Sequence, residues 1–191
     1  MNESIYGTHL ASMIQVKDHL LEEIETIRHD MEETLGMDPI EHLLARIKSE
    51  DSMREKCRRQ GLAETTESAL EVIHDAIGIR IVCSFVDDVF TIRDRLAERF
   101  EIVTEKDYIR HAKPNGYRSY HLILRSEGYY VEIQLRTISM DTWAALEHHL
   151  KYKKSIDGNT ALIVDELKRC ADELASTDVS MQTLRDLIMG G

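Results

Sequence analysis

Two carboxylates stand where a fold gains little from an acid. Asp75 directly precedes a short β-rich run, Gly78 to Phe85, and Glu132 lies inside another, Tyr129 to Arg136, alternating with Val131 and Ile133. A mid-strand acid opposite apolar neighbours needs a partner or a solvent-filled cleft. Two such acids brought together hold a hard cation through oxygen, and Mg²⁺ there bridges to phosphates. Taken alone, Glu132 is better read as paired with a nearby Arg. Cations concentrate in two places. Residues 46–60 carry Arg46, Lys48, Arg54, Lys56, Arg58 and Arg59. On a helix Lys48, Ser52, Lys56 and Arg59 would share one face, a stripe suited to several phosphates or, in the blander reading, to water. Residues 106–121 carry Lys106, Arg110, His111, Lys113, Arg118 and His121 among Tyr108, Tyr117 and Tyr120. Cations beside aromatics around Pro114-Asn115-Gly116 fit a base stacked on a ring with its phosphates held nearby. A Tyr-rich loop folded back on a sheet is the alternative. If a strand begins at Ser119, Ser119 and His121 share one face, and Tyr120 and Leu122 the other.

Other signals carry no chemistry. His74-Asp75 lacks the further His and Asp ligands a metal phosphohydrolase needs, and Glu147-His148-His149 places adjacent histidines on different helix faces. There is neither GxxxxGK[ST] nor GxGxxG.

The elements that must position these groups follow from periodicity. Apolar residues at helical spacing run from Ser4 to Leu35, with Gly36 as a C-cap. Pro39 is expected to open a second helix through Leu43, Leu44 and Ile47 to about Gln60, closed by Gly61. Gly78–Phe85, Glu101–Tyr108, Ser119–Arg125 and Tyr129–Arg136 read as strands, with Glu127-Gly128 as a hairpin turn. Asp87–Phe100 reads as a helix capped by Asp87 or Asp88, and so does Ser139–Lys154. After a break at Gly158, helical spacing resumes through Leu162, Leu167, Leu174, Leu184 and Leu187. The expectation is an α/β fold with a mixed sheet of about four to five strands flanked by helices. A chain of 191 residues is about one domain, divided as 1–38 helix, 39–154 catalytic core and 155–191 C-terminal helices. Its net charge of −11 argues against a general nucleic-acid coat protein. Three separated cysteines fit reduced thiols in the cytoplasm. No run approaches the ~18 apolar residues of a spanning helix, and MNESIYGTHL lacks a signal peptide's basic and apolar regions.

Five segments, taken in order, carry a resemblance: Arg46-Ile-Lys-Ser, His74-Asp-Ala-Ile-Gly-Ile-Arg80, Asp107-Tyr-Ile-Arg110, Lys113-Pro-Asn-Gly-Tyr-Arg-Ser-Tyr-His121 and Val131-Glu-Ile-Gln-Leu-Arg-Thr137. From Pro39 to Lys154 the chain resembles the synthetase domain of the RelA/SpoT alarmone enzymes. Trp143 to Lys153 resembles the stand-alone small synthetases within that family. The resemblance implies a nucleotidyltransferase-like synthetase fold with long N- and C-terminal helices. It implies a GTP diphosphokinase of the stringent response, transferring pyrophosphate from ATP to the ribose 3′-hydroxyl of GDP or GTP. By motif, Asp75 is the expected Mg²⁺ ligand, and Glu132 binds the ion or accepts the hydroxyl proton. Arg46 and Arg80 would sandwich adenine, while Lys48, Ser52, Lys56 and Arg59 hold the ATP phosphates. Tyr117 would stack on guanine, with Lys113, Asn115, His121 and Arg110 contacting the guanosine substrate.

Two departures are visible. Tyr120 stands where relatives commonly carry Leu, and Glu22, Glu23 and Glu25 after Lys17 give poor support to a cationic allosteric cleft. A catalytically silent nucleotide-binding regulator and a single-stranded-RNA-binding protein are the competing classes. The apolar stripes of both terminal segments suggest homo-oligomers, tetramers by resemblance.

Overall fold

In a computed structural model the protein is described over residues 4–152 and 160–190. The elements run α1 (Leu10–Leu35), β1 (Ile40–Ile47), α2 (Glu50–Gln60), β2 (Ile77–Cys83), α3 (Val86–Arg99), β3 (Glu101–Asp107), β4 (Tyr120–Ser126), β5 (Tyr129–Thr137), α4 (Ile138–Tyr152) and α5 (Thr160–Met189). The five strands form one sheet in the order β1-β2-β5-β4-β3. β2 and β5 are parallel and every other pair is antiparallel, so the sheet is mixed as expected. The Glu127-Gly128 hairpin turn takes φ of 49° and 87°, the double positive φ of a tight two-residue connection.

Alternation splits the sheet into two chemical faces. Ile77, Ile79 and Ile81 of β2, Val131, Ile133 and Leu135 of β5, and Leu122 and Leu124 of β4 are buried in one core. That core is closed by Met13, Val16, Leu20, Ile24, Ile27 and Met31 of α1 and by Val89, Ile92 and Leu96 of α3. The α1 stripe therefore belongs largely to its own subunit, whereas α5 leaves Val179, Leu184, Leu187 and Ile188 exposed.

One element differs from the periodicity. Residues 40–47 form a strand, not the first half of a helix, because Leu43, Ala45 and Ile47 alternate against the core while the backbone pairs with β2. The helix begins only at Glu50, where the Ser49 hydroxyl accepts from the Ser52 N–H. Lys48 thus lies on the turn before α2, and only Ser52, Lys56 and Arg59 of the expected stripe are on that helix. α3 is capped by Asp88 from inside its first turn, where the carboxylate accepts from the Phe85 N–H at 3.1 Å. Helix α1 starts at Leu10, later than Ser4, and the C-terminal stretch is one helix. The ends expected at Lys154 and Gly158 lie outside the described residues.

Candidate active site

The face opposite the core carries the polar residues, and the strand register lines them up. Arg46 of β1 lies beside Gly78 of β2, which lies beside Glu132 of β5. One row on, Leu44, Arg80, Gln134 and His121 follow each other across four strands. Leu44, Ala45, Arg46, Asp75, Gly78, Ile79, Arg80, Glu132 and Gln134 bound a cleft of about 320 Å³. A second cleft of about 400 Å³ meets it at Arg46 and is lined by Lys48, Ser49, Ser52, Lys56 and Arg59. The structure therefore gathers the first basic cluster around a turn and a helix start instead of along one helix.

Asp75 joins the two clefts. Its Oδ2 accepts from Lys48 Nζ at 2.7 Å and from Lys56 Nζ at 2.6 Å. Its Oδ1 is buried and has no hydrogen-bond partner among the described residues. Burial alone would raise this carboxyl, but the two ammonium groups outweigh it and hold it below its ordinary range. Glu132 follows the same logic. Burial pushes it up, and the His121 imidazole 3.7 Å away together with the Gln134 amide at 2.9 Å bring it below normal. Both acids are ionised at neutral pH, and the charge of each is felt by the other.

An orphaned, buried, anionic oxygen beside a second carboxylate suits a hard divalent cation, whose preference is for oxygen. Among the described residues no group of three His, Cys, Asp or Glu side chains could hold a metal. Asp75 and Glu132 would be the protein's oxygen ligands to such an ion, with substrate phosphates and water completing its shell. The residues fit the ion.

The second cluster packs around Tyr117. Its hydroxyl is 2.8 Å from His121 Nε2 and accepts from Arg136 at 2.8 Å. Lys113 Nζ stands 4.8 Å from the Tyr117 ring centroid and 4.5 Å from that of Tyr108. Asn115 is occupied in shaping the loop: its Oδ1 accepts from the Tyr117 N–H and its Nδ2 donates to Glu147 of α4, both at 3.2 Å. Gly116, at φ +91°, lies so close to α5 that a Cβ would sit 2.6 Å from that of Ala171. Arg110 is not brought here. It pairs with Asp107 and lies over Phe90 of α3, whose ring meets Tyr120 on the core side of β4.

Three residues join the site without having been singled out by sequence. Buried Arg136 links Tyr117, Gln134 and Asp141. Asp141, in the first turn of α4, faces Arg136 at 3.0 Å, Arg80 at 3.3 Å and His42 at 3.7 Å. Arg80 retains a buried Nε with no partner among the described residues, and burial, followed by the neighbouring Arg136 charge, lowers its pKa from the ordinary value. Gln134 and Arg136 were readable in principle as i+2 and i+4 from Glu132 on one strand face; Asp141 had no spacing signal.

Residues 45–157 match the model of the region found in RelA / SpoT proteins. The chain belongs to the RelA/SpoT family. It is 46% identical over 147 residues to the GTP pyrophosphokinase YwaC of Bacillus subtilis, covering 72% of this chain and 70% of that one. Its fold is similar to the crystal structure of small alarmone synthetase 2 from Bacillus subtilis, with a TM-score of 0.81 at 37% identity over 94% of this chain and 98% of the other. Small alarmone synthetase 1 from the same organism, solved bound to its product pppGpp, superposes with a TM-score of 0.79 at 33% identity, over 92% and 94% of the two chains. The family's shared region starts in β1 and ends beyond α4, so it contains the second cleft, all of the first but Leu44, and the Tyr117 loop.

Proposed function

We propose that the protein transfers pyrophosphate from ATP to the ribose 3′-hydroxyl of GDP or GTP, forming guanosine tetra- or pentaphosphate and releasing AMP. Carrying this reading is Asp75, a buried carboxylate with one oxygen on two lysines and the other unsatisfied, facing Glu132 across a cleft between two arginines. The named relatives support it: they are GTP pyrophosphokinases and alarmone synthetases, one holding pppGpp.

Adenine enters between Arg46 and Arg80, and the ATP phosphates lie along Lys48, Ser52, Lys56 and Arg59. A triphosphate draws the two ammonium groups off Asp75 Oδ2, because more anionic oxygen is offered there than one carboxylate supplies. Asp75 and Glu132 would then be the residues to hold Mg²⁺, which would supply charge neutralisation to the transferred phosphates. Guanine stacks on Tyr117, displacing Lys113 from that ring toward the acceptor's phosphates, with His121 at the same edge. Asn115 and Arg110 contribute by shaping the loop and its approach, given their present partners. Glu132 is a weak base because its carboxyl lies below the ordinary range, so its main contribution is charge and orientation at the 3′-hydroxyl. The 3′-oxygen bonds to the β-phosphorus of ATP as the bond from that phosphorus to the α,β-bridging oxygen breaks. The hydroxyl proton leaves through Glu132 or water.

The exposed apolar face of α5 supports a homo-oligomer, a tetramer by analogy with what the family resemblance implies, in which that face is covered. No helix among the described residues is long and apolar enough to cross a membrane, in keeping with work in the cytoplasm. Incubation with ATP, Mg²⁺ and GDP or GTP, followed by nucleotide chromatography, tests the reaction. Formation of AMP and a guanosine polyphosphate in equal amounts is the expected result, and ATP hydrolysis without such a product refutes it.

A further inference from the structure

The turn between β1 and α2 carries Lys48 and starts the helix that carries Ser52, Lys56 and Arg59. Its conformation is held from outside by the residues that precede α1. The Tyr6 side chain is only 1% exposed, and its hydroxyl donates to the Lys48 carbonyl at 2.6 Å. On the other side of the same residue, the Lys48 N–H donates to the Ala76 carbonyl at 2.9 Å, next to Asp75. The Lys48 backbone is thus pinned at both its polar groups. Two further contacts reach the first residue of α2: Ser4 Oγ donates to Glu50 Oε1 at 2.7 Å, and the Ile5 N–H to Glu50 Oε2 at 3.2 Å. The far end of the segment is tied to β5, where His9 Nδ1 lies 2.8 Å from the Tyr129 hydroxyl. Gly7, at φ +55°, lets the segment double back, with hydrogen bonds from Gly7 N–H to Ser4 C=O and from His9 N–H to Tyr6 C=O, both at 3.0 Å.

We propose that residues 4–9 form a strap that sets the ATP-phosphate site, with Tyr6 as its positioning residue acting through the Lys48 backbone. The inference rests on the assignment of that turn and α2 to the ATP phosphates. Tyr6 touches no substrate. Its hydroxyl fixes the Lys48 carbonyl, hence the Ser49 cap that aims α2 and the point from which the Lys48 side chain departs. The strap's hydrogen bonds described above run to Lys48, Glu50 and Tyr129, none of them in the Tyr117 loop, which is held by His121 of β4, Arg136 of β5, Glu147 of α4 and Asp172 of α5. The strap is therefore selective for one substrate.

Tyr6→Phe keeps the buried ring and removes only the hydroxyl. The expected result is a rise of about fivefold in KM for ATP, with KM for GDP and kcat each within twofold, and a matching loss for a non-hydrolysable ATP analogue in calorimetry. A Ser4→Ala, Glu50→Gln double variant, which loosens the strap at its other contact, is expected to raise KM for ATP in the same direction. Lys56→Ala is measured alongside. If it raises KM for ATP while Tyr6→Phe is silent, or moves both KM values together, the strap is refuted and the phosphate site stands. If Lys56→Ala itself leaves KM for ATP unchanged, the phosphate assignment is refuted and the strap's selectivity falls with it.

Discussion

Gly78 offers a perturbation in which stability and activity should move in opposite directions. It sits in the middle of β2, flanked across the sheet by Arg46 and Glu132, on the floor of the cleft. Nothing in the fold asks for glycine there. Its φ is not in the left-handed region, and a Cβ added to it meets no atom of the described residues within 4 Å. Glycine in a strand interior loses more chain entropy on folding than alanine does. At a compatible position Gly→Ala gains about 0.4–1 kcal/mol, which at about 2–4 °C per kcal/mol for a chain of this size raises Tm by about 1–4 °C. The open space above Gly78 is then kept for a ligand. A methyl group standing between Arg46 and Glu132 crowds whatever lies there, and overpacking by one carbon costs about 1–3 kcal/mol, or about 5- to 150-fold in affinity. Gly78→Ala should therefore melt at or above the wild-type temperature in calorimetry while KM for ATP rises by at least about fivefold. A variant with raised Tm and an ATP KM within twofold of wild type would show that the substrate does not occupy this cleft.

The two acids should be separable from the fold. Asp75→Asn and Glu132→Gln are each expected to lower kcat by about 10²–10³, the scale of losing one preorganised electrostatic contact, with far-UV circular dichroism unchanged; near-wild-type rates in excess Mg²⁺ contradict the assignment. Since both carboxyls lie below their ordinary values, they bind fewer protons folded than unfolded. The stability they contribute is complete above the ordinary carboxylate range and is lost only as pH falls through the lowered values, so a pH–rate profile should stay flat on the acid side through that range. Tyr117→Ala should weaken guanosine nucleotide binding by about 1–3 kcal/mol and ATP binding far less; equal losses in calorimetry would remove the two-site partition. Light scattering at micromolar concentration should give a multiple of 22.1 kDa, most simply fourfold, and a fully active monomer would show that the exposed face of α5 needs no partner.

Much of this architecture could be read from residue patterns, and the failures have specific causes. β2, β4 and β5 alternate or run apolar between clear turn residues, and α3 has helical spacing after an acidic cap. Residues 40–47 misled because Leu43, Leu44 and Ile47 satisfy a helical template as well as a strand, and Pro39 is a good first residue for a helix. The ladder with β2 decides the matter, and a ladder partner is invisible in a local window. The same misreading put Lys48 on a helix face. It reaches the expected neighbourhood all the same, because Asp75 gathers Lys48 and Lys56 from two elements onto one oxygen. Arg110 was drawn away by Phe90 and Asp107, contacts that depend on how α3 packs over the sheet. Asp141 is legible only in three dimensions, since its meaning lies in His42, Arg80 and Arg136, brought to it from β1, β2 and β5.

The register that closes the core also composes the site. On β5 a slip of one residue would exchange Glu132, Gln134 and Arg136 for Val131, Ile133 and Leu135 across the whole sheet. That would expose the core side of β5 and take Glu132 out of the cleft in a single step. Selection for a stable sheet and selection for the reaction therefore act on the same pairing, and the acids of the cleft need no dedicated scaffold. The loops are different. Lys48 and Tyr117 lie outside the strands, and besides its contacts around the sheet each has a separate outlying segment on its turn or loop: the strap before α1 for one, α4 and α5 for the other. Changes that shift the strand register should consequently disturb folding and both substrates together, whereas substitutions in the strap or in α5 should disturb one substrate at a time. A terminal segment that binds another copy of the chain, as the exposed face of α5 invites, would then act on affinity for one nucleotide without touching the carboxylates.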